Sequence, residues 1–182
     1  MIAVAAAFLA WLGAALIVLS DGRRGLALGL ALVTTGLAAL AWPASTPLGG
    51  VAIAAGGLIA AAECWRSGTA SWGIMPAGST ARLILCIASG LLALWLASVV
   101  TTGAGAPLRF AVLVVLGLMG ARMLMSRDAP VVLTGIASLA LVVAVARDLA
   151  PTSPGSIPEV VGGLIAAGVM FVPSPSAEKV GT

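Results

Sequence analysis

The side chains that could do chemistry are few, and the missing types restrict the reading most. The 182 residues contain no His and no Tyr, two Cys and six acids. Without imidazole the chain lacks the usual general base and the commonest metal ligand, and without a phenol it lacks one further acid. Catalytic triads and zinc sites are excluded on that ground. No Gly-rich phosphate loop of the Walker type occurs, so nucleotide hydrolysis is not expected. Cys64 and Cys86 form no CxxC pair, and both map near helix ends on the reducing side of the membrane. They read as small buried thiols. No enzyme activity, no cofactor and no metal site are expected.

Glu63 is the most informative ionisable residue, because it follows Ala60, Ala61 and Ala62 inside an apolar run. An acid in lipid is costly and faces a partner or water. Arg66 lies three residues on, so an i to i+3 ion pair at the interface accounts for Glu63 without function. The sharper alternative is that Glu63 titrates, coupled to Arg122, which holds a nearly equivalent place later in the chain. Arg122 taken alone reads as an anchor whose long side chain snorkels to the headgroups. Arg147, Asp148 and Glu159 flank a turn, where mutual pairing or headgroup contact is expected.

The elements that must position these residues are set by composition. Of the chain, 61% is hydrophobic and 8% charged, against about 25% charged in an average soluble domain. A water-facing surface cannot be built from that. Runs near the roughly 20 apolar residues that cross a bilayer fall at 2–19, 25–42, 50–65, 83–100, 110–125, 131–146 and 160–172. Their lack of alternation excludes a membrane barrel. The fold class expected is all-α, a polytopic transmembrane bundle of about seven helices.

Lys and Arg fall in alternate connections: Arg23, Arg24, Arg66, Arg82, Arg122, Arg127 and Lys179 in one set, Arg109 and Arg147 in the other. Basic residues stay on the cytoplasmic side, which places the N-terminus outside and the C-terminus inside, in a cell (inner) membrane. The nine basic residues are scattered, so nucleic acid is not a partner. Nothing basic precedes the first run, which reads as a retained anchor rather than a cleaved signal. Outer turns such as PASTPLGG are rich in turn formers. The inner connection 67–80, with Trp72, Met75 and Pro76, suits either the headgroup level or a plain loop. The polar tail 173–182 is expected to be disordered and cytoplasmic.

An internal repeat organises the spans. GGLIAA at 56–61 recurs at 162–167, and the same offset aligns Gly29 with Gly135 and Gly49 with Gly155. Fainter echoes join GLAAL at Gly36 to GLLAL at Gly90. The unit is a two-helix hairpin, giving a single transmembrane domain over 1–172: a leading helix 1–20 and parallel hairpins 21–66, 80–127 and 128–172.

The stretch RGLALGLALVTTGLAALAWPASTPLGGVAIAAGGLIAAAECWR, from Arg24 to Arg66, resembles the short repeat of the HdeD-type acid-resistance membrane proteins. The resemblance lies in Arg24 and Gly25 at the start, Gly29 and Gly36 within the helix, Pro43 after it, then Gly56, Gly57 and Arg66. It covers about 150 residues. The second hairpin lacks the Pro directly after its helix, and the third carries Arg147 and Asp148 where the first has Ala41 and Trp42. Membership would imply a multi-pass protein of acid or envelope stress tolerance, with no catalytic residues.

Small residues need their own reason, since Gly costs about 1 kcal/mol in a helix relative to Ala. In lipid, helices associate through close backbone approach, which small residues permit. Gly25, Gly29, Gly56, Gly57, Gly117, Gly162 and Gly163 are the expected packing positions, with a further small-residue face at Ala6, Ala10 and Ala14. Contacts within one bundle are the first reading, and a homo-oligomer or a membrane-complex partner the second. Partners are otherwise membrane lipid, with no small-molecule substrate indicated. Two alternatives to a non-enzymatic stress protein stay open: a small transporter or channel, against which the scarcity of polar mid-helix residues counts, and an accessory subunit of a larger membrane complex.

Overall fold

In the computed structural model the residues described are 1–43, 46–67, 72, 80–99, 105–149 and 156–172, without the side chains of 97 and 98. The expected tail and most of the inner connection, Met75 and Pro76 included, lie outside them. Among the described residues the elements are α1 (Ile2–Leu19), α2 (Arg23–Ala41), α3 (Pro47–Arg66), α4 (Thr80–Val99), α5 (Ala106–Met125), α6 (Ala129–Ala146) and α7 (Ile157–Val169). A 3-10 turn at Arg147–Leu149 follows α6. The fold is an all-α bundle.

The helices α2 to α7 begin two to four residues before the apolar runs do, and four of them share a cause. Each of α3, α5, α6 and α7 carries a proline in its first turn, at Pro47, Pro107, Pro130 and Pro158. The first turn needs no N–H donor from that position, and the ring presets a helical φ, so the proline starts the helix. Thr46 adds a cap to α3, its hydroxyl accepting from the Gly49 N–H at 3.3 Å. At the other extreme α7 stops at Val169. The N–H groups of Met170, Phe171 and Val172 donate to carbonyls three residues back, at 3.3, 3.1 and 3.3 Å, which tightens the chain out of α-geometry.

Five helices, α1, α2, α3, α5 and α6, are long and apolar enough to cross a membrane; Thr80–Leu96 of α4 and Ile157–Val169 are apolar but shorter. Phe8, Leu58, Ile84, Leu91, Leu113 and Ile165 stand exposed around the outside. An apolar coat this extensive fits acyl chains and not water. The chain is a membrane-embedded helical protein.

Helices adjacent in sequence pack on one another except α3 and α4, and the bundle orders them further into two rows. One row runs α1, α2, α3 and the other α5, α6, α7, with α1 against α5, α2 against α6 and α3 against α7; α4 packs outside, on α5 and α1. Helix limits recur between the rows. Leu19 and Met125 close α1 and α5, and Arg23 and Ala129 open α2 and α6, at the offset that superposes the two GGLIAA segments.

Small residues set the approach within and between rows. A Cβ added to Gly36 of α2 would lie 2.6 Å from the Ala6 carbonyl oxygen and 2.7 Å from the Ala10 nitrogen of α1; one on Gly29 would lie 2.8 Å from the Gly13 carbonyl. Residue numbers rise along one helix as they fall along the other, so α1 and α2 are antiparallel. Between rows, Gly49 faces Glu159 and Gly56 faces Gly163, so α3 and α7 run parallel. The core between the rows is filled by Leu30, Val33 and Leu37 of α2 with Ile53, Leu118 and Leu141, all fully buried.

Candidate functional site

Charged side chains collect at the two ends of the bundle, and the arginine-rich end is the more elaborate. Ser20 leaves α1 in an extended conformation and Gly22 caps α2, so Asp21 projects from the turn between them. Gly25 admits the turn, since a Cβ there would stand 2.6 Å from Ser20 Cβ. Arg122, in the last turn of α5, is 4% exposed. Its Nη2 donates to the Asp21 carboxylate and, at 3.2 Å, to the Ser20 carbonyl. Arg82, from the first turn of α4, donates through Nη1 to both Asp21 oxygens at 2.9 and 3.1 Å. One carboxylate therefore ties the α1–α2 turn to α4 and α5. Partial burial would raise the Asp21 pKa, but the hydrogen bonds and charges of Arg122 and Arg82 outweigh it and hold it below the ordinary 3.8.

Around this staple the same end carries a second layer. Arg23 Nη1 donates to the Ser67 carbonyl at 2.8 Å, joining the start of α2 to the end of α3. Arg24 lies over Trp65 at 5.5 Å and Trp72 at 6.0 Å from the ring centroids, and the two indoles meet edge to face at 5.9 Å. Such cation–aromatic contacts are worth about 0.5–1 kcal/mol where exposed.

The structure separates the two candidate titrating residues. Glu63 sits 3.5 Å from Arg66, the i to i+3 geometry, in an exposed pair. Arg122 pairs with Asp21 instead. The coupling of Glu63 to Arg122 is thus replaced, because the buried end of α5 faces the α1–α2 turn and not α3.

Of the expected packing glycines, Gly25 and Gly29 lie against α1, and Gly56 and Gly163 against each other. Gly57 fits beside Thr34 and Leu141, and a Cβ on Gly162 would stand 2.6 Å from Ala144 Cβ. Gly117 is the exception: a Cβ there would meet nothing within 4 Å. It lies where no helix approaches. Gly13 and Gly49 are packing positions that spacing alone missed.

At the opposite end, Asp148 follows α6 and Glu159 opens α7. Glu159 is 1% exposed. Gly49 of α3 makes room for it, a Cβ there standing 3.2 Å from Glu159 Cγ. Ser156 and Glu159 have the S-x-x-E spacing of a capping box, yet Ser156 makes no side-chain cap bond and Glu159 is turned into the bundle.

Neither end assembles a nucleophile with a base, and no group of three or more metal-ligating acids or thiols occurs among the described residues. The buried hydroxyls of Thr34, Thr134 and Ser138 donate to carbonyls four residues back, at 2.8, 2.7 and 2.9 Å, and so stay on their own helices. A groove of about 440 Å³ between α6 and α7, lined by Ile136, Leu139, Val143, Pro158 and Ile165, is apolar throughout. Cys64 and Cys86 are buried free thiols. Comparison with protein-family models, with curated proteins and with solved structures gives no match.

Proposed function

We propose that this chain is a non-enzymatic multi-pass protein of a cell (inner) membrane that contributes to acid or envelope stress tolerance, as its HdeD-type resemblance implies. All seven helices cross, with the N-terminus outside and the C-terminus cytoplasmic. The observation that carries the non-enzymatic part is the Asp21 staple: the most buried cation of the arginine-rich end pairs with Asp21, which also holds Arg82 and so ties the α1–α2 turn to α4 and α5. Such a bundle serves as a robust membrane element. The gathering of Arg23, Arg24, Arg66, Arg82 and Arg122 at one end supports the orientation. The repeat supports the family reading, since helix limits as well as residues recur between the rows.

A transporter needs polar groups facing a path, and the hydroxyls at mid-helix are turned back onto their own carbonyls. The test is survival at low pH of cells lacking the chain, against cells in which it is restored. Lower survival in the deletion, with normal growth at neutral pH, is expected. Equal survival under acid and under envelope-damaging detergent would remove the stress role and leave the membrane reading intact.

A further inference from the structure

The arginine-rich end holds more positive charge than its own acids answer. Among the described residues six arginines stand there against three acids, Asp21, Glu63 and Asp128. Residues 68–79 add no charge, and 173–182 bring one acidic and one basic side chain. Asp21 takes both Arg82 and Arg122, and Glu63 takes Arg66. Arg23 and Arg24, side by side in the first turn of α2, meet no carboxylate among the described residues. Arg23 donates to the Ser67 carbonyl, and Arg24 lies over the rings of Trp65 and Trp72. A ring face attracts a cation without neutralising it, so both charges can still be answered by an anion.

This patch lies at the level of lipid headgroups. The 20 residues of α3 rise about 30 Å, the thickness of a hydrocarbon core. Trp65 and Arg66 close that helix, so they emerge where the core ends. Trp65 and Trp72 are 45% and 44% exposed, and indole rings favour that boundary. Gly25 lets Trp72 come close, since a Cβ there would stand 3.1 Å from the Trp72 carbonyl oxygen. Leading away from the arginines, α3 exposes Val51, Ala55, Leu58, Ala62 and Trp65, spaced by alternating steps of four and three residues. Such positions share one helix face and form an apolar track about 21 Å long. A soluble anion would use the arginines alone, whereas a molecule with a charged head and an apolar tail uses both features.

We propose that Arg23 and Arg24, with the Trp65 and Trp72 indoles beside them, hold the phosphate of an anionic phospholipid whose acyl chain lies along the exposed face of α3. The guanidinium N–H groups donate to the phosphate oxygens in charge-assisted hydrogen bonds. The two rings hold Arg24 at the boundary, where the headgroup stands, instead of leaving it to extend into water. The uncompensated charge selects against a zwitterionic lipid, whose ammonium group returns a cation to the patch. This site needs the chain to be embedded in a membrane but not the stress role, so its test does not pass through cell survival.

The experiment uses the full chain in mild detergent, offered equal amounts of phosphatidylglycerol and phosphatidylcholine with the same acyl chains. Native mass spectrometry reads the ratio of the two lipids in the one-lipid adduct. The wild type is expected to favour phosphatidylglycerol, and Arg23→Gln and Arg24→Gln should each lower that preference about fivefold. Arg109→Gln removes the same charge at the far end of the bundle and should leave the preference within about twofold, because the charges there are beyond screening range. A wild type without preference overturns the proposal, as does an equal loss in all three variants, which would mean diffuse attraction to net charge. Displacement of the bound lipid by inorganic phosphate or by an acidic peptide would make this a site for a soluble anion or a protein segment and overturn it equally. Should one of the two α2 variants fail to fold, the other decides by the same criterion.

Discussion

Gly56 of α3 lies directly against the backbone of Gly163 of α7, and the two glycines belong to two copies of the same hexapeptide, GGLIAA. A Cβ on Gly163 would in turn meet the carbonyl group of Ala52, its carbonyl carbon at 3.0 Å. The rows therefore approach through backbone at this point, and backbone cannot step aside as a flexible side chain can.

Gly56→Ala and Gly163→Ala should each destabilise the bundle by about 1–3 kcal/mol through overpacking. Gly117→Ala, at an unoccupied face, should be neutral or stabilising by up to about 1 kcal/mol. Thermal unfolding in detergent measures all three. An equal loss at Gly117 would show that small residues matter here for reasons other than helix approach.

Removing Asp21 strands Arg122 in a buried position. Breaking a fully buried pair costs about 3–5 kcal/mol, and the partial exposure of Asp21 reduces the expectation for Asp21→Asn to about 1–3 kcal/mol. Arg82→Ala should cost within about 1 kcal/mol, since that pair is part-exposed on both sides. Denaturant or thermal unfolding in detergent, with each single variant and the double, separates the two arms of the staple.

The Asp21 staple also has a pH signature. Its pKa is lowered on folding, so its contribution is fully present above the ordinary 3.8 and is lost as pH falls through the lower folded value. Wild-type protein should weaken in strong acid, and Asp21→Asn should lack that component. Midpoints measured from neutral to strongly acidic pH for the wild type and Asp21→Asn check this.

Glu63→Gln should leave stability within about 1 kcal/mol of wild type, because its ion pair with Arg66 is surface-exposed. Survival of cells at low pH should likewise be unchanged. A strong acid phenotype with normal expression would restore Glu63 as a functional acid.

Cys64 and Cys86 are both buried, in α3 and α4. A membrane-permeant maleimide should label neither quickly in the folded bundle and both after denaturation. Mass shift against time, with and without denaturant, reads this directly. Fast labelling of Cys86 alone would indicate that α4, packed mainly on α5 and α1, detaches by itself.

How much was legible beforehand follows from the range over which each interaction acts. Hydropathy runs locate every helix, because an apolar face is a local property; helix starts from α2 to α7 lie two to four residues earlier than the runs, at α3, α5, α6 and α7 because a proline supplies the first turn. Glu63 with Arg66 was legible, since both sit on one helix three residues apart. Arg122 with Asp21 was not, because the pair joins α5 to the α1–α2 turn and depends on which helices become neighbours. The repeated GGLIAA was visible as a repetition, but that one copy would pack on the other was not. Spacing likewise failed to distinguish Gly117 from Gly163.

The sequence by itself determined that this is a helical membrane protein, for 61% hydrophobic residues with 8% charge cannot face water. It also removed the chemistry that needs His or Tyr. The tertiary structure alone decided the two rows with α4 outside them, the staple at Asp21 and the inward turn of Glu159. The reason is physical: in lipid, apolar area hardly distinguishes one helix face from another, so the arrangement is settled by backbone fit at a few glycines and by where a handful of charges find partners. Both are properties of helices already brought together.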